Sequence, residues 1–246
     1  MFDLDNSKNR IIEILNDETI IEDKNSVPAY DGALTYANGI KAWVTALFLD
    51  IRKSAEYFKN DADMVSRVMR SYIQELVTLL KDYDQEKELI RDIGIRGDCV
   101  YAIFTTPKKA DINYVFDVAL HIYSFNKMFQ RVLSKNGFAK FDIGIGLGSN
   151  KDVVIKTGKP YSDVNEMVWV GKAVVDAAHL SAYGNSDEYG YKTIVMNKCF
   201  YNNLDENRKK YLVEVVDYTG DSIYHGDVYF TDENNWIERN VWYGWK

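Results

Sequence analysis

The sequence predicts an α/β fold of the α+β type, in which a central, mostly antiparallel sheet is covered by helices on one side. A nearly continuous apolar run spans residues 42–50, as in a strand that is buried on both faces. Two segments, at about 62–82 and 110–135, repeat apolar residues with the helical period. The predicted order of strand, helix, hairpin, helix and strand favours helices packed against a sheet.

The first 41 residues are predicted to form an N-terminal helix and an arm. Residues 6–16 place three aliphatic side chains on one helical face, which predicts a short amphipathic helix. Residues 17–40 are polar and mixed, with proline and glycine as breaks, and an ordered arm is expected there. Residues 42–246 are predicted to form the main domain, so that the chain is a single domain with an N-terminal extension.

The middle of the chain contains a predicted hairpin and a glycine-rich strand. Residues 89–96 and 98–104 flank Gly97 and predict two strands that turn at this glycine. Residues 141–148 alternate glycine with aliphatic residues at the strand period, so one face of this strand lacks side chains. We expect another backbone or a ligand to pack closely against that face. Because no helix follows these glycines directly, a dinucleotide-binding motif is excluded.

The remaining predicted strands are short. They span residues 153–156, 166–170, 191–196, 210–217 and 223–230. A helix is predicted over about 171–184, where small and aliphatic residues repeat with the helical period. The last strands, around a brief helix, form a predicted C-terminal strand extension. Trp236, Trp242 and Trp245 near the end are expected to pack or to contact a second subunit.

The composition excludes several classes of protein. The formal net charge is -7 and no long basic run is present, which argues against a nucleic-acid surface. The 2 cysteines lie far apart and the 3 histidines are scattered, so neither a zinc site nor a disulfide framework is expected. The first ten residues do not resemble a signal peptide, and no apolar run approaches the ~20 residues of a membrane span. We therefore expect a soluble cytoplasmic protein that contacts no membrane.

Two acidic residues stand where a predicted strand ends or turns. Asp50 closes the apolar strand, and Asp98 follows Gly97 in the hairpin about fifty residues later. Carboxylates in such positions can converge on one divalent cation, and hard oxygen ligands suit Mg²⁺ or Mn²⁺. This arrangement is typical of chemistry on a nucleoside triphosphate. The alternative is that Asp50 only caps a helix and Asp98 is only a turn residue.

Four segments, taken together, resemble the class III nucleotidyl cyclases. In that family's order and spacing they are FLDIR (48–52), RGDCVYAIF (96–104), DIGIGLG (142–148) and VGKAVVDAAHL (170–180). The resemblance implies a nucleotidyl cyclase domain in which two divalent metal ions, Mn or Mg, are held by Asp50, the backbone carbonyl of Ile51 and Asp98. It also implies that the 3′-hydroxyl of the bound nucleotide attacks the α-phosphate and that pyrophosphate leaves.

The same resemblance assigns the segment after Asp50 to the phosphates. The backbone amides of Arg52, Lys53 and Ser54 would bind them at the start of a helix, where unpaired N–H groups and the helix dipole attract anions.

The residues expected at the base depart from the purine-cyclising members of the family. Those members have a lysine four residues before the second metal acid and an aspartate three residues before the glycine of the last helix. Here these positions hold Gly94 and Val168. Arg96 shares a strand face with Gly94, and Phe48 shares one with the first acid. We therefore predict that Arg96 and Phe48 contact a pyrimidine, with uracil preferred over cytosine. The alternative is that Arg96 is a surface charge paired with a neighbouring acid.

The N-terminal arm extends the resemblance over nearly the whole chain. Residues 25–52 look like the opening of the stand-alone pyrimidine (uridylate or cytidylate) cyclases of bacterial anti-phage (Pycsar) systems. This implies a conversion of UTP or CTP to cUMP or cCMP, which a separate downstream effector detects as a second messenger of antiviral defence.

The last helix departs from the family pattern in the residues expected to stabilise the reacting phosphate. Val175 and His179 stand where the family has an asparagine and a basic residue. We predict that Lys172 or His179 takes this role, in a homodimer whose composite sites join metal acids of one subunit to last-helix residues of the other. His179 could instead be a capping or packing residue. The alternatives are a degenerate nucleotide-binding regulatory module and a purine (adenylate or guanylate) cyclase.

Overall fold

The computed structural model describes residues 2–29, 31–158, 165–217 and 219–242. Its helices are α1 (Leu4–Asn16), α2 (Ser54–Tyr57), α3 (Ala62–Asp84), α4 (Lys109–Lys135), α5 (Lys172–Tyr183), α6 (Lys198–Asn203), α7 (Glu206–Lys209) and α8 (Thr231–Trp242). Its strands are β1 (Ile20–Asp23), β2 (Asn38–Ile51), β3 (Ile90–Arg96), β4 (Cys99–Thr105), β5 (Ile143–Gly158), β6 (Asn165–Val170), β7 (Ile194–Asn197), β8 (Val213–Val216) and β9 (Ser222–Gly226). No helix in these ranges is both long and apolar enough to cross a membrane.

One sheet contains all the strands of the described residues, in the order β3-β4-β2-β5-β7-β9-β8. β1 pairs with β2, and β6 pairs with β5. Only the pairs β1–β2 and β5–β7 are parallel. The prediction of a central, mostly antiparallel sheet is therefore confirmed, and the hairpin does turn at Gly97, which has a φ of +64°.

Helices cover both faces of this sheet. α3 and α4 bury their apolar faces against Leu47 and Leu49 of β2 and the aliphatic residues of β5. α5 lies on the opposite face, where Ala173 and Ala177 pack against Ala46 of β2. The prediction that helices cover only one side is thus wrong, because α5 packs on the face that the glycines of β5 leave open.

The glycines of β5 permit an unusually close contact with α5. A Cβ atom added at Gly144, Gly146 or Gly148 would lie 2.1, 2.0 or 2.2 Å from a backbone carbonyl oxygen of α5. No side chain fits into that space, so the helix backbone rests directly on the strand. This confirms that a close neighbour packs on the glycine face, and the neighbour is a backbone.

β5 is longer than predicted. The expected returning strand at 153–156 is not a separate element, because β5 runs without interruption to Gly158 and pairs with β2 from Ile143 to Ile155. The polar residues between the two predicted strands have partners that keep them in the strand. Ser149 bonds to Thr45 across the sheet at 2.5 Å, and Asp152 accepts a hydrogen bond from the Ala173 amide at 2.8 Å.

The predicted C-terminal strand extension is present as β7, β8 and β9, and a helix that was not predicted, α8, follows these strands. Residues 227–230 leave the sheet after β9, and α8 follows and packs along α4. Lys127 of α4 donates to Asn234 of α8 at 2.6 Å, and Ile237 is buried. Trp236 is 56% exposed, so more than half of its surface is not covered by the described part of the chain. The Trp242 side chain and Trp245 lie outside the described residues.

The N-terminal segment contributes to the sheet in a way that the sequence did not predict. α1 is a helix as expected, and none of its residues is buried. After it, β1 pairs in parallel with the first residues of β2, which begins at Asn38 rather than at residue 42. The division of the chain at residues 41 and 42 stays a prediction.

Candidate active site

The end of β2 brings an acid and an arginine together. Asp50 and Arg52 form an ion pair in which the two side chains are 32% and 13% exposed. Burial raises the pKa of Asp50, the Arg52 guanidinium lowers it, and the negative charge of Asp98 raises it. Arg52 also donates to the backbone carbonyl of Ala182 near the end of α5. One guanidinium therefore connects this acid to the helix on which further site residues are predicted.

The two predicted metal acids lie close enough to influence each other. Asp98 is half-buried in the turn between β3 and β4, and its charge contributes to the raised pKa of Asp50. The Ile51 side chain is buried in the core, so only its backbone can serve a site. No group of three or more His, Cys, Asp or Glu residues within the described ranges could hold a metal. Two carboxylates and a carbonyl are a donor set of hard oxygens, which fits Mg²⁺ or Mn²⁺ when a ligand supplies the other oxygens.

The backbone amides after Asp50 that are predicted to bind the phosphates are not all available. The Arg52 amide donates to the Asp142 carbonyl at 2.7 Å, so it cannot bind a phosphate in this arrangement. Lys53 has a φ of 54° and precedes α2, which has only 4 residues. Its ammonium lies 2.8 Å from an Asp187 oxygen on the surface. Lys53 and half-buried Ser54 stay candidates for the phosphates, and Arg52 contributes a side chain rather than an amide.

The residues predicted at the base lie on one face of the sheet. Phe48 of β2 stacks on Tyr101 of β4, with ring centroids 5.1 Å apart and an angle of 14° between the rings. Tyr101 stands opposite Gly94 in the β3–β4 pair. Arg96, two residues further along β3, lies 3.6 Å from Glu166 of β6, with 67% of its side chain exposed. The structure thus gives Arg96 an acidic neighbour and leaves most of its guanidinium accessible.

β6 closes this face from the side. Met167 and Trp169 pack against the same buried cluster as Phe48 and Tyr101. The Trp169 indole donates to Asp92 of β3 at 3.1 Å. Burial raises the pKa of Asp92, and the hydrogen bond from Trp169 opposes that rise.

Sequence reasoning missed Tyr101, Asp92 and Trp169 as site residues. The hairpin register contained the signal for Tyr101, because a turn at residues 97 and 98 pairs residue 94 with residue 101. Trp169 had no such signal, since its contact with Asp92 joins strands that are not paired with each other. Half-buried Cys99 follows Asp98 directly in the chain. Burial and the charges of Asp50 and Asp98 raise its pKa to about 11, so its thiol is neutral.

The predicted catalytic residues of α5 line a different part of the surface. Lys172, which is 60% exposed, lies 3.2 Å from Asp176 and 3.7 Å from Asp221. Lys172, Asp176 and exposed His179 line a cavity of about 740 Å³. Neither Asp50 nor Asp98, the two predicted metal ligands, is among the described residues that line this cavity. Val175, on the outward side of the same helix, is 52% exposed.

Solved structures show which fold this is. The chain superposes on the adenylyl cyclase CyaB from P. aeruginosa with a TM-score of 0.63 and 18% identity, over 79% of this chain and 98% of that one. A class III adenylyl cyclase-like ATP-binding protein from Pseudomonas aeruginosa gives a TM-score of 0.67 at 15% identity, over 92% of this chain and 48% of that one. The fold is that of the class III cyclases.

Two relatives are similar over nearly the whole sequence, although no family model matches it. The uridylate cyclase of Treponema porcinum is 39% identical over 98% of this chain and 82% of its own length. The uridylate cyclase of Gulbenkiania mobilis is 30% identical over 97% of each chain. Identity of this extent over nearly the whole chain establishes that the chain belongs to the uridylate cyclase family.

Proposed function

We propose that the protein is a uridylate cyclase, which converts UTP to 3′,5′-cyclic UMP and pyrophosphate. The observation that carries this proposal is the 39% identity to the uridylate cyclase of Treponema porcinum over 98% of the chain. The electrostatic coupling of Asp50 with Asp98 supports it, because two acids this close are suited to binding cations beside a triphosphate.

Asp50, Asp98 and the Ile51 carbonyl are the proposed ligands of two divalent metal ions, Mn or Mg. Bound there, the ions would neutralise the triphosphate and lower the pKa of the attacking 3′-hydroxyl. The chain itself has to release Asp50 from Arg52 for this, since the guanidinium now occupies one side of the carboxylate. Arg52, once released, is a proposed phosphate ligand together with Lys53 and Ser54.

Phe48 and Arg96 are the proposed contacts of the base. Phe48 offers a ring face that is held by its stacking on Tyr101. The Arg96 guanidinium is accessible and can donate to the O2 or O4 of uracil, whereas a surface ion pair such as that with Glu166 contributes little to hold it back. The same contacts with O2 and N3 of cytosine make CTP the second substrate to test.

Lys172 and His179 are proposed to stabilise the transferring phosphate across a homodimer interface. Both lie away from the acids of their own chain, which supports a site that is completed by a second copy. We place this reaction in the cytoplasm, with a separate effector that binds the cyclic product in antiviral defence.

The proposal is tested by incubating the purified protein with Mn²⁺ and each ribonucleoside triphosphate separately, and by identifying products by mass spectrometry. We expect cUMP from UTP, a smaller yield of cCMP from CTP, and none from Asp50→Asn or Asp98→Asn. These two variants keep the shape of each side chain, so they are matched controls. A full yield from either one would refute the role of the two acids, and cyclic AMP or cyclic GMP as main product would refute the pyrimidine assignment.

A binding module without turnover is the second candidate function. It is favoured by Val175, because a valine cannot donate the hydrogen bond that the resemblance expects at this position. It predicts that UTP binds, as measured by calorimetry, and that no cyclic product forms under any metal condition.

A further inference from the structure

We propose that Tyr101 sets the size of the base pocket, and that it excludes purines by filling the space beside Gly94. This inference rests on the proposed function, since it concerns which base that site accepts. It assigns a specificity role to a residue that neither touches the predicted metals nor belongs to the motif of Asp50.

The Tyr101 ring stands directly beside Gly94. A Cβ atom added at Gly94 would lie 2.2 to 2.3 Å from the outer ring atoms and the hydroxyl of Tyr101. The ring of Tyr101 therefore occupies the volume into which any side chain at residue 94 would extend. With its ring in this place, Tyr101 is therefore compatible only with glycine at residue 94.

The Tyr101 ring cannot easily move aside. One face is covered by the stacked ring of Phe48. Met167 and Trp169 of β6 pack against the same buried cluster as this pair, and the hydrogen bond from Trp169 to Asp92 holds β6 against β3. A rotation of Tyr101 would break this aromatic stacking and expose buried ring area.

The polar end of the Tyr101 ring lies near charged side chains. Asp92, Arg96 and Glu166 all lie near enough to affect the pKa of Tyr101, which burial raises. The hydroxyl is therefore neutral and lies among charged groups, one of which is the proposed arginine contact of the base. A larger base would have to displace the ring towards these charges, whereas a single pyrimidine ring leaves it in place.

The test compares kcat/KM for UTP and ATP in the wild type, Tyr101→Phe and Tyr101→Ala. Tyr101→Ala should lower the UTP-to-ATP ratio of kcat/KM at least about tenfold, since it removes the ring that limits the pocket. Tyr101→Phe is the matched control, because it keeps the ring and loses only the hydroxyl. Its ratio should stay within about threefold of the wild type. A wild-type ratio in Tyr101→Ala overturns the proposal, and so does a loss of selectivity in Tyr101→Phe equal to that in Tyr101→Ala.

Gly94→Ala tests the contact between residues 94 and 101 from the other residue. Its Cβ must push the Tyr101 ring away, so UTP turnover should fall, and the double variant with Tyr101→Ala should regain at least part of it. No recovery in the double variant would contradict the pairing of the two residues. If Tyr101→Ala is unfolded, as judged by circular dichroism, Tyr101→Leu and this double variant decide the question. A wild type that makes no cyclic pyrimidine would refute the proposed function, whereas an active wild type with an unchanged ratio would refute only this inference.

Discussion

Asp50 forms an ion pair with the Arg52 guanidinium, and it is also a proposed ligand of a metal ion. Burial and the neighbouring Asp98 both make its negative charge costly, and Arg52 relieves that cost. The Nε atom of Arg52 is buried without a hydrogen-bond partner, so the guanidinium is not fully satisfied where it lies. An arginine in this situation is suited to leave when a metal ion arrives.

Arg52→Met should therefore bind Mn²⁺ about tenfold more tightly than the wild type, since a charged hydrogen bond of about 1.5 kcal/mol no longer has to be broken. Isothermal titration with Mn²⁺ in the absence of nucleotide measures this. The added variant Asp50→Asn should abolish the gain. Equal or weaker binding by Arg52→Met would show that the arginine does not compete with the ion.

At this scale the sequence predicted residues within motifs and missed residues that only the folded sheet brings near. Asp50 and Asp98 were found because each marks the end or the turn of a strand, and Phe48 and Arg96 because each shares a face with a motif residue. Their functional roles stay predictions. Trp169 and Asp92 are 77 positions apart in sequence, and their contact depends on the placement of β6 beside β3, which no local pattern specifies.

At the scale of elements, the contact between β5 and α5 is governed by backbone atoms. Gly146→Ala would place a Cβ atom 2.0 Å from the Ala177 carbonyl, and two regular elements cannot separate locally to accommodate it. We expect the free energy of unfolding to fall by about 3 kcal/mol or more. Denaturant unfolding followed by circular dichroism measures the change.

Gly137→Ala is the comparison variant for this loss. Gly137 has a φ of +73° and open space around it, so alanine there meets only backbone strain. That strain costs about 1 to 2 kcal/mol. A Gly146→Ala protein as stable as Gly137→Ala would contradict the direct contact between helix and strand.

The pair β7–β9 carries a buried histidine that links stability to pH. Burial lowers the pKa of His225 below its usual value near 6.5, with Asp227 opposing and Lys192 adding to the shift. Its Nδ1 atom accepts a hydrogen bond from the Lys192 amide at 3.1 Å, which requires the neutral ring. The unfolded chain therefore binds more protons than the folded one as the pH falls through about 6.5.

We expect the free energy of unfolding to decrease between about pH 7 and about pH 5, because the buried neutral imidazole must then become charged or the chain must unfold. His225→Asn keeps a hydrogen-bond acceptor without the titration, and should reduce this slope. Urea titrations at several pH values measure both proteins. Parallel slopes would mean that His225 does not carry the effect.

The long elements were predictable because periodicity over many residues is a strong signal. β2, α3 and α4 were found within a few residues of their observed bounds, and all three contribute buried residues to the same hydrophobic core. The prediction divided β5 into two strands, because the polar residues in its middle are typical of a turn. Only their cross-strand partners show that they belong to the strand. α8 was not predicted because its apolar face is small and gives a weak pattern. In the described part of the chain, Ile237 and Val241 are the only residues of this face that are buried.

At the scale of the whole molecule, the proposed site needs two chains. Asp50 and Asp98 lie in a different region of one chain from the outward residues of α5. A variant of one of these acids and a variant of one of these α5 residues therefore each lack a different half of a composite site. Mixing Asp50→Asn with His179→Ala, each inactive alone, should restore about a quarter of wild-type activity through mixed dimers of twofold symmetry. The cUMP yield of the mixture measures this.

A mixture that stays inactive would place both residues in one chain's own site. The control is a mixture of Asp50→Asn with Asp98→Asn, which alter the same half of the site and should not restore activity. Sedimentation of the wild type, performed in parallel, reports whether the chain forms dimers at the assay concentration.

The glycine face of β5 has a consequence for how this protein can change over evolution. Since the backbone of α5 is itself the packing surface, its tilt and height above the sheet do not depend on the side chains that point outward. Lys172, Val175 and His179 can be exchanged there without repacking the interior. The position of α5 is thus fixed while its outward side chains can vary. Substitutions there can change the chemistry of the helix surface with little effect on the stability of the fold.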